Sequence, residues 1–313
     1  QRCIRHRLMA YSKIFLKTRK NILKLFSPII TNDRWFVEKM YYLRTGKRID
    51  MDKPQTFNEK LQWLKVYNRH DYQHNRVDKL TVKDIVAREI GSRYIIPTIS
   101  TWDSPAQIDF GSLPERFVLK TTHGYGGKGV VVCNDPETFN RKKAIETLRH
   151  AMRKNNYPKL REWPYKGLKP RIIAEEYIGT DKEPIPADYK FFCFDGHAEY
   201  VMVCVERNIG GKKPRYYFFD REWNFCPFNK VDKNTPTGFT LPKPDKIDEM
   251  FDIADKLSRN EPHVRIDLYY IDNKIYFGEI TYFNASGYDK DITEETDRYF
   301  GTLIKLPKPS YKP

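Results

Sequence analysis

The stretch from His263 to Gly287 constrains the fold more than any other part of the chain. Two runs within it, Val264 to Ile271 and Lys274 to Thr281, have the composition of β-strands. They are joined by Asp272-Asn273, a short polar pair that is typical of a tight hairpin turn. The sequence therefore predicts an antiparallel hairpin near the C-terminal end.

Both strands of this hairpin carry acidic residues. Alternation along a strand places Arg265 and Asp267 on one face of the first run, and Glu279 and Thr281 on one face of the second. If the strands pair in register, the Asp267 and Glu279 carboxylates lie side by side and require a cation or a proton between them. Hard oxygen ligands on strands suit Mg²⁺, so the hairpin predicts a magnesium site. A solvent-exposed hairpin with scattered charge is the alternative.

A second informative stretch runs from Phe117 to Val132, where an apolar strand, a glycine-rich loop and another apolar strand follow one another. Its glycines allow the backbone to approach a ligand closely, while Lys120 and Lys128 supply positive charge. The loop lacks the GxxxxGK[ST] pattern and no helix follows it, which excludes a P-loop. We predict a flap over phosphates, with a plain glycine hairpin as the alternative. The glycines are Gly124, Gly126, Gly127 and Gly129.

The net charge of +15 predicts an anionic partner, such as nucleotide phosphates, an acidic polysaccharide, anionic lipid or nucleic acid. Charge alone suggests nucleic acid, and the chain has no recognised nucleic-acid-binding motif. The five cysteines include no CxxC pair, which disfavours a zinc site or a disulfide scaffold and indicates a reducing cytoplasm. No run is long and apolar enough to span a membrane.

Residues 1–30 form a basic segment in which apolar residues are interleaved at helical spacing. Such a helix can lie on an anionic membrane surface or pack on its own protein with a solvated face. Helices are also predicted from Asp33 to about Val77, with Thr56 and Glu59 forming a capping box. A further helix is expected from Lys79 to Ile90, followed by a strand that begins at Tyr94.

The remaining segments predict mostly antiparallel sheet with two helices. Asp195-Gly196 is a type I′ turn signal between two of the strands. Asn155 to Pro170 is expected to be a loop. The helices are Arg141 to Lys154 and Lys243 to Arg259, and the strands are Arg171 to Ile178, Asp188 to Phe194, Glu199 to Val205 and Arg215 to Phe219.

In this order the motifs resemble the ATP-grasp fold: a lysine-ended strand with a glycine flap, a strand ending in Glu-Glu-Tyr-Ile, an Asp-x-Lys strand and an Arg-x-Asp…Glu-x-Thr hairpin. More narrowly, the chain resembles the teichuronopeptide-biosynthesis (TupA-like) ATP-grasp family of bacterial polysaccharide clusters. The resemblance runs from about Asn32 to Leu306. The segments that carry it are NDRWFVEKMYYLRTGKRID, PQTFNEKLQWLKVYNRHD, DYKFFCFDGHAEY and VRIDLYYIDNKIYFGEIT.

This resemblance implies an α+β fold in which two lobes with antiparallel sheets clamp ATP. A helical N-terminal region would occupy residues 1–78, with its basic segment at 1–30. The small lobe with the glycine-rich flap would occupy residues 79–176. The C-terminal lobe with the metal hairpin would occupy residues 177–313.

The resemblance also implies a role for each site residue. Arg265 and Lys190 would stabilise charge during the reaction, and Asp267 and Glu279 would bind Mg²⁺. Many ATP-grasp enzymes have Asn where Thr281 stands here. Asn284, Ser286 and Gly287 would approach the transferred group. ATP would be bound by Lys79, Lys120, Gly126, Gly127, Lys128, Glu175, Glu176, Tyr177, Ile178, Asp181 and Glu183.

The implied function is ATP-dependent carboxylate–amine ligation through an acyl phosphate. The expected substrates are an amino acid or related amine and a uronic-acid carboxylate of a capsular or other surface polysaccharide, within the cytoplasm or at the inner face of the membrane. Three alternatives remain open: a glycosyltransferase using Asp289-Lys290-Asp291 as a DxD motif, a sugar kinase, and a non-catalytic ATP-binding module.

Overall fold

The computed structural model describes residues 16–124, 126–127, 129–181, 183–205 and 214–311. The chain packs into two compact units. The first contains the described residues up to His70, Asn155–Trp163 and the residues from Phe283 onward, and the second contains Asp71–Lys154 and Pro164–Tyr282. The predicted three-part division of the chain stays a prediction. Among the described residues, none of the helices combines the length and apolar character that crossing a membrane requires.

The elements follow the predicted α+β order. Residues 16–25 are helical. The helices that follow are α1 (Asp33–Thr45), α2 (Phe57–Tyr67), α3 (Tyr72–Val77), α4 (Thr81–Glu89), α5 (Arg141–Met152), α6 (Tyr157–Leu160), α7 (Ile247–Ser258) and α8 (Glu294–Leu303). The strands are β1 (Thr98–Trp102), β2 (Phe117–Thr121), β3 (Val130–Cys133), β4 (Ile172–Glu176), β5 (Ala187–Phe194), β6 (His197–Val205), β7 (Arg215–Phe219), β8 (Phe225–Cys226), β9 (His263–Ile271) and β10 (Lys274–Thr281).

The first unit is helical, and local sequence signals determine where its helices begin and end. The predicted capping box of α2 is present, because Thr56 accepts from the Glu59 amide and the Glu59 side chain accepts from the Thr56 amide. Helix α1 ends at Gly46, whose φ of 75° is one that glycine adopts without strain. The core of this unit includes Phe36, Met40, Tyr41 and Tyr288.

The second unit contains two antiparallel sheets. The four-stranded sheet has the order β1-β4-β2-β3 and the six-stranded sheet has the order β10-β9-β5-β6-β7-β8. Helix α7 covers one face of the larger sheet, where Phe251 contacts Phe191 of β5 with ring centroids 4.9 Å apart. The residues of α7 that were predicted to point inward are all buried: Ile247, Met250, Phe251, Ile253, Ala254 and Leu257.

Several predicted boundaries differ from the structure, and the helix predicted from Lys243 begins at Ile247. The helix expected from Lys79 begins at Thr81, because the Asp78 carboxylate accepts from the amides of Leu80 and Thr81 and holds a turn before the helix. The strand expected from Tyr94 begins after Pro97, which has no N–H to donate to a ladder. The segment 155–170 was expected to be a loop, but it contains the short helix α6 and a 3₁₀ turn at Trp163–Tyr165.

The pH dependence of stability is expected to include His263, at the start of β9. His263 is fully buried, 4.9 Å from Phe194 between ring centroids, and burial lowers its pKa to about 3. Below pH 6.5 the unfolded chain therefore binds a proton that the folded chain does not. The free energy of unfolding should fall by up to about 1.4 kcal/mol per pH unit as the pH drops from 6.5 towards 3.

Urea unfolding at a series of pH values, on the wild type and on His263→Phe, measures this contribution. The variant keeps an aromatic ring in the pocket. Its free energy of unfolding should lack the part of the pH dependence that His263 contributes. If the free energy of unfolding changed equally with pH in the two proteins between pH 6.5 and 3, the assignment of this pH dependence to His263 would be wrong.

Candidate active site

The structure contains the predicted hairpin with the predicted register. Asp272 and Asn273 have φ angles of 48° and 58°, as a type I′ turn requires. Asp267 pairs with Glu279 across β9 and β10, next to a register shift at Gly278. A side chain at Gly278 would meet the Asp267 carbonyl oxygen at 2.9 Å, so glycine permits this close strand approach.

Two cations neutralise the buried Asp267 carboxylate. Arg265 binds it in a bidentate manner, with Nε 2.6 Å from Oδ1 and Nη2 2.7 Å from Oδ2. Lys190 on β5 lies beside Asp267 in the sheet, and its Nζ is 2.5 Å from Oδ2. Lys190 Nζ is also 2.6 Å from Asp188 Oδ2. Side-by-side carboxylates of Asp267 and Glu279 were predicted to need a cation between them. In the structure, protein side chains supply positive charge at this position.

These contacts fix the charge states of the cluster. Burial alone would raise the pKa of Asp267, but Arg265 and Lys190 lower it below its usual range. Burial alone would lower the pKa of Lys190, but the Asp267 carboxylate raises it. All three groups are therefore charged at neutral pH.

Glu279 is the more accessible acid of the hairpin, with 34% of its side chain exposed. Its carboxylate lies 3.5 Å from Arg265 Nη2 and 3.8 Å from Lys79 Nζ. Thr281 is close to both, since its hydroxyl is 3.3 Å from Arg265 Nη2 and 3.5 Å from Glu279 Oε1. Glu279 is consequently available to bind a further cation.

The carboxylates of this hairpin suit a Mg²⁺ ion that is also bound by phosphate oxygens. Within the described part of the chain, no cluster of three or more metal-ligating side chains exists. Asp267 and Glu279 supply carboxylate oxygens on adjacent strands, but both Asp267 oxygens are held by Arg265 and Lys190. Mg²⁺ is commonly held by one or two carboxylates together with substrate phosphates and water. Glu279 is therefore the carboxylate open to the metal, and Asp267 would have to exchange one of its cation contacts to join it.

A group of lysines surrounds Glu175 on β4. The buried Glu175 carboxylate lies 2.5 Å from Lys120 Nζ and 2.6 Å from Lys83 Nζ. Burial would raise the pKa of Glu175, but these two lysines lower it. Lys79 lies nearby and donates to the Gly124 carbonyl. These side chains, with Phe277 and Gly278 of the hairpin, line one narrow crevice.

The glycine-rich loop between β2 and β3 has the backbone that its sequence predicts. Gly126, Gly127 and Gly129 have φ angles of 58°, 70° and 81°. A side chain at Gly129 would also meet the Thr121 hydroxyl at 2.6 Å, so both conformation and space require glycine there. Lys128 lies outside the described residues.

The other residues predicted to bind ATP, from Glu176 to Glu183, lie on and after β4. The Glu176 amide donates to the Pro97 carbonyl, and the Tyr177 hydroxyl donates to the Pro184 carbonyl at 2.7 Å. Asp181 is exposed and pairs with Arg116 at 2.8 Å, while Glu183 accepts from the Ala187 amide at 2.9 Å. The predicted roles of these residues, and of Ile178, stay predictions.

Sequence reasoning missed two members of the site, Lys83 and Asp188. Lys83 lies on α4, but Lys79 precedes that helix, so no helical spacing in the sequence links the two lysines. Asp188 precedes Lys190 by two residues and therefore shares its strand face. Only the second signal is present in the sequence.

The Asp289-Lys290-Asp291 tripeptide belongs to the first unit and forms hydrogen bonds with neighbouring residues and with a distant segment. The Asp289 carboxylate accepts from the Asn284 side chain at 2.9 Å and from the Asp291 amide at 3.0 Å. Lys290 donates to the Arg44 carbonyl. These contacts occupy the Asp289 carboxylate and the Lys290 ammonium group, and the DxD interpretation stays a prediction.

The two antiparallel sheets, the glycine flap and the hairpin cluster together define an ATP-grasp protein. A family model described as TupA-like ATPgrasp matches residues 59–305, and the chain belongs to that family. The predictions of the family and of the α+β fold are thereby confirmed, and the ligase activity of this chain stays a prediction.

Several solved structures are similar at low sequence identity. The ATP complex of D-alanine–D-alanine ligase from Bacillus anthracis has 13% identity and a TM-score of 0.37, and the match covers 66% of this chain and 53% of that one. The corresponding ligase from Helicobacter pylori has 13% identity and a TM-score of 0.45, with coverage of 81% and 68%. D-cycloserine synthetase has 13% identity and a TM-score of 0.43, with coverage of 73% and 69%. No curated protein sequence is significantly similar to the chain.

Proposed function

We propose that the chain is an ATP-dependent carboxylate–amine ligase that works through an acyl phosphate. The observation that carries this proposal is the cluster of Arg265, Asp267, Lys190 and Glu279 on adjacent strands, in the same unit as the lysines around Glu175. Such an arrangement supplies fixed positive charge and metal-binding oxygens where phosphoryl transfer needs both.

The chemistry explains why ATP is required. Attack of an amine on a carboxylate is slow at neutral pH because oxide is a poor leaving group. Transfer of the γ-phosphoryl group to the carboxylate gives an acyl phosphate and ADP. The amine then attacks the carbonyl carbon, inorganic phosphate leaves, and the amine loses a proton to give the amide. No nucleophilic side chain is needed, so the protein mainly orients reactants and stabilises charge.

Each cation of the cluster has a place in this scheme. Arg265 and Lys190 are held by Asp267 before substrate binds, so their positive charges are already oriented when negative charge develops. Asp267 and Glu279 would hold Mg²⁺, which screens phosphate charge during phosphoryl transfer. Asp267 is buried, whereas 34% of the Glu279 side chain is exposed. Glu279 is therefore the acid whose bound metal ion would be accessible to the ATP phosphates.

When ATP binds, its phosphates are proposed to replace the Glu175 carboxylate as the anionic partner of nearby lysines. Lys120 and Lys83 are paired with Glu175, and ATP phosphates would replace part of that interaction. We expect Lys120→Met to weaken ATP binding by about tenfold or more, because a charged hydrogen bond is lost. Isothermal titration calorimetry with the non-hydrolysable analogue AMP-PNP measures this, with Lys142→Met on the exposed face of α5 as the control. Equal affinities would contradict the assignment of Lys120.

The proposed substrates are an amino acid or related amine and a uronic-acid carboxylate of a surface polysaccharide or its precursor. The net charge of +15 is consistent with an acidic glycan. The activity is tested by incubating the protein with Mg-ATP, a pool of uronic acids and a pool of amino acids, and following products by ³¹P NMR. ADP and inorganic phosphate should form only when both pools are present.

Other products would identify the alternative functions. A phosphomonoester without inorganic phosphate would show a sugar kinase. Release of a nucleotide from a sugar nucleotide without use of ATP would show a glycosyltransferase. ATP binding without turnover across the pools would favour a non-catalytic module. Each of these results would contradict the ligase proposal.

We also propose that the basic N-terminal segment contacts an anionic membrane. Leu23 packs against the core of the first unit, whereas Leu25 and Ile29 are 74% and 75% exposed. Lys24 precedes Leu25, and Lys20 lies one helical turn before Lys24, a combination that favours a surface with anionic lipid. The part of the segment before residue 16 lies outside the described residues.

Sedimentation with phosphatidylglycerol vesicles tests the membrane proposal. The full chain should sediment with them and not with phosphatidylcholine vesicles, and a Leu25→Ser/Ile29→Ser variant should sediment less. Both residues are exposed, so the variant should remain folded. A chain that stays in the supernatant with the anionic vesicles would overturn the proposal.

A further inference from the structure

Two lysines share the buried Glu175 carboxylate, and they reach it from opposite sides of β4. Lys83 Nζ lies 2.6 Å from Oε1, and Lys120 Nζ lies 2.5 Å from Oε2. In the four-stranded sheet β4 lies between β1 and β2. Lys120 belongs to β2, whereas Lys83 extends from α4 to Thr98 at the start of β1. Each carboxylate oxygen therefore has its own cation.

Lys83 is held in place by three oxygen atoms. Besides contacting Glu175, its Nζ donates to the Ile96 carbonyl oxygen at 2.7 Å and to the Thr98 hydroxyl oxygen at 2.7 Å. An ammonium group has three hydrogens and accepts no hydrogen bond. Three oxygens at these distances match those three hydrogens. Lys83 is therefore fully occupied by the protein and has no donor left for a phosphate.

Lys120 has fewer contacts with the protein. Among the described residues its Nζ has one oxygen partner, Glu175 Oε2. It is the next-to-last residue of β2, the strand that leads into the glycine-rich loop. Two of its three hydrogens are thus available for phosphate oxygens, close to the loop that is predicted to cover them.

The release of Lys120 from Glu175 is easier when Lys83 is present. The Glu175 side chain is only 5% exposed, and a buried carboxylate that loses its last cation is strongly destabilised. If Lys120 moves to a phosphate, Glu175 still has Lys83 at Oε1. The carboxylate then remains paired in both the free and the nucleotide-bound protein.

We propose that Lys83 is a positioning residue for ATP binding, because it retains the Glu175 carboxylate while Lys120 turns to the phosphates. This inference rests on the nucleotide binding proposed above and assigns the exchange of partners to Lys120 alone. Lys83 keeps its contacts with Glu175, Ile96 and Thr98 throughout. It therefore promotes ATP binding without contacting ATP.

Isothermal titration calorimetry with AMP-PNP and Mg²⁺, on the full chain, tests this proposal through a double-mutant cycle. Lys83→Met should lower the affinity by about tenfold or more, close to the loss in Lys120→Met, because Lys120 then stays with Glu175. In a Glu175→Gln background, Lys83→Met should change the affinity by less than about threefold, since no buried charge needs a cation there. A purely structural role of Lys83 would lower the affinity in both backgrounds.

Two further variants make the result decisive. Lys83→Gln also removes the charge but keeps a polar side chain near Ile96 and Thr98, so it guards against a folding defect in Lys83→Met and should show the same pattern. Lys142→Met, at an exposed position, should bind as the wild type does. Wild-type affinity in both Lys83 variants, or an equal loss with and without the Glu175 charge, would overturn the proposal. A wild-type chain that does not bind AMP-PNP would overturn the proposed function, and this inference with it.

Discussion

Glu279→Gln should lower the rate of ATP-dependent ligation by about 10²–10³-fold while the protein stays folded. The substitution keeps the shape of the side chain and removes the negative charge that lies 3.5 Å from Arg265 and 3.8 Å from Lys79. It also removes one of the two carboxylates proposed to hold Mg²⁺. Because 34% of the Glu279 side chain is exposed, little buried structure depends on it.

The rate of ADP formation with both substrate pools measures this effect. The matched control is Glu222→Gln, the same change at an exposed position of the same unit, which should leave the rate unchanged. Far-ultraviolet circular dichroism of both variants checks that they are folded. A Glu279→Gln protein with the wild-type rate would remove this residue from the proposed site.

Asp33→Ala should lower the free energy of unfolding of the first unit by about 3–5 kcal/mol. The buried Asp33 carboxylate pairs with Arg161 Nε at 2.6 Å and Arg69 Nη2 at 2.7 Å, and accepts from the Tyr157 hydroxyl at 3.0 Å. Both arginine side chains are almost fully buried. Removal of the shared anion leaves two buried guanidinium groups without charge compensation, which is far costlier than loss of a surface pair.

Asp52→Ala is the matched control for this prediction. Asp52 also pairs with an arginine, since its Oδ1 lies 3.0 Å from Arg34 Nη2, but 74% of its side chain is exposed. Solvent screening limits such a pair to about 0–1 kcal/mol. Urea unfolding of both variants gives the comparison. Losses of similar size for Asp33→Ala and Asp52→Ala would contradict the described network.

Local features of the fold were predictable because short-range physics determines them. Alternation and the Asp272-Asn273 turn gave the hairpin and its register, which place Asp267 beside Glu279. The capping box at Thr56 and Glu59 likewise involves only neighbouring residues. The helix boundary missed at Lys79 had a local cause as well, in the turn that the Asp78 carboxylate holds.

Contacts between distant segments could not be read from such patterns. Lys190 meets Asp267 because β5 lies next to β9, although 77 residues separate the two side chains. Arg161 reaches Asp33 from a segment expected to be a plain loop. Glu175 was expected to bind ATP, and the contacts of its carboxylate with Lys120 and Lys83 depend on the order of the strands. Family resemblance, rather than periodicity, indicated the overall arrangement.

The central claim is that ATP activates a substrate carboxylate, and oxygen-isotope transfer tests it most directly. The uronic acid identified in the pool assay is labelled with ¹⁸O in its carboxylate and turned over with Mg-ATP and the amine. An acyl phosphate retains one carboxylate oxygen as its bridge, and that oxygen leaves with phosphate when the amine attacks. We predict inorganic phosphate that carries one ¹⁸O per turnover, seen as an isotope shift in ³¹P NMR. Unlabelled phosphate, or a stable phosphomonoester of the sugar, would contradict the account.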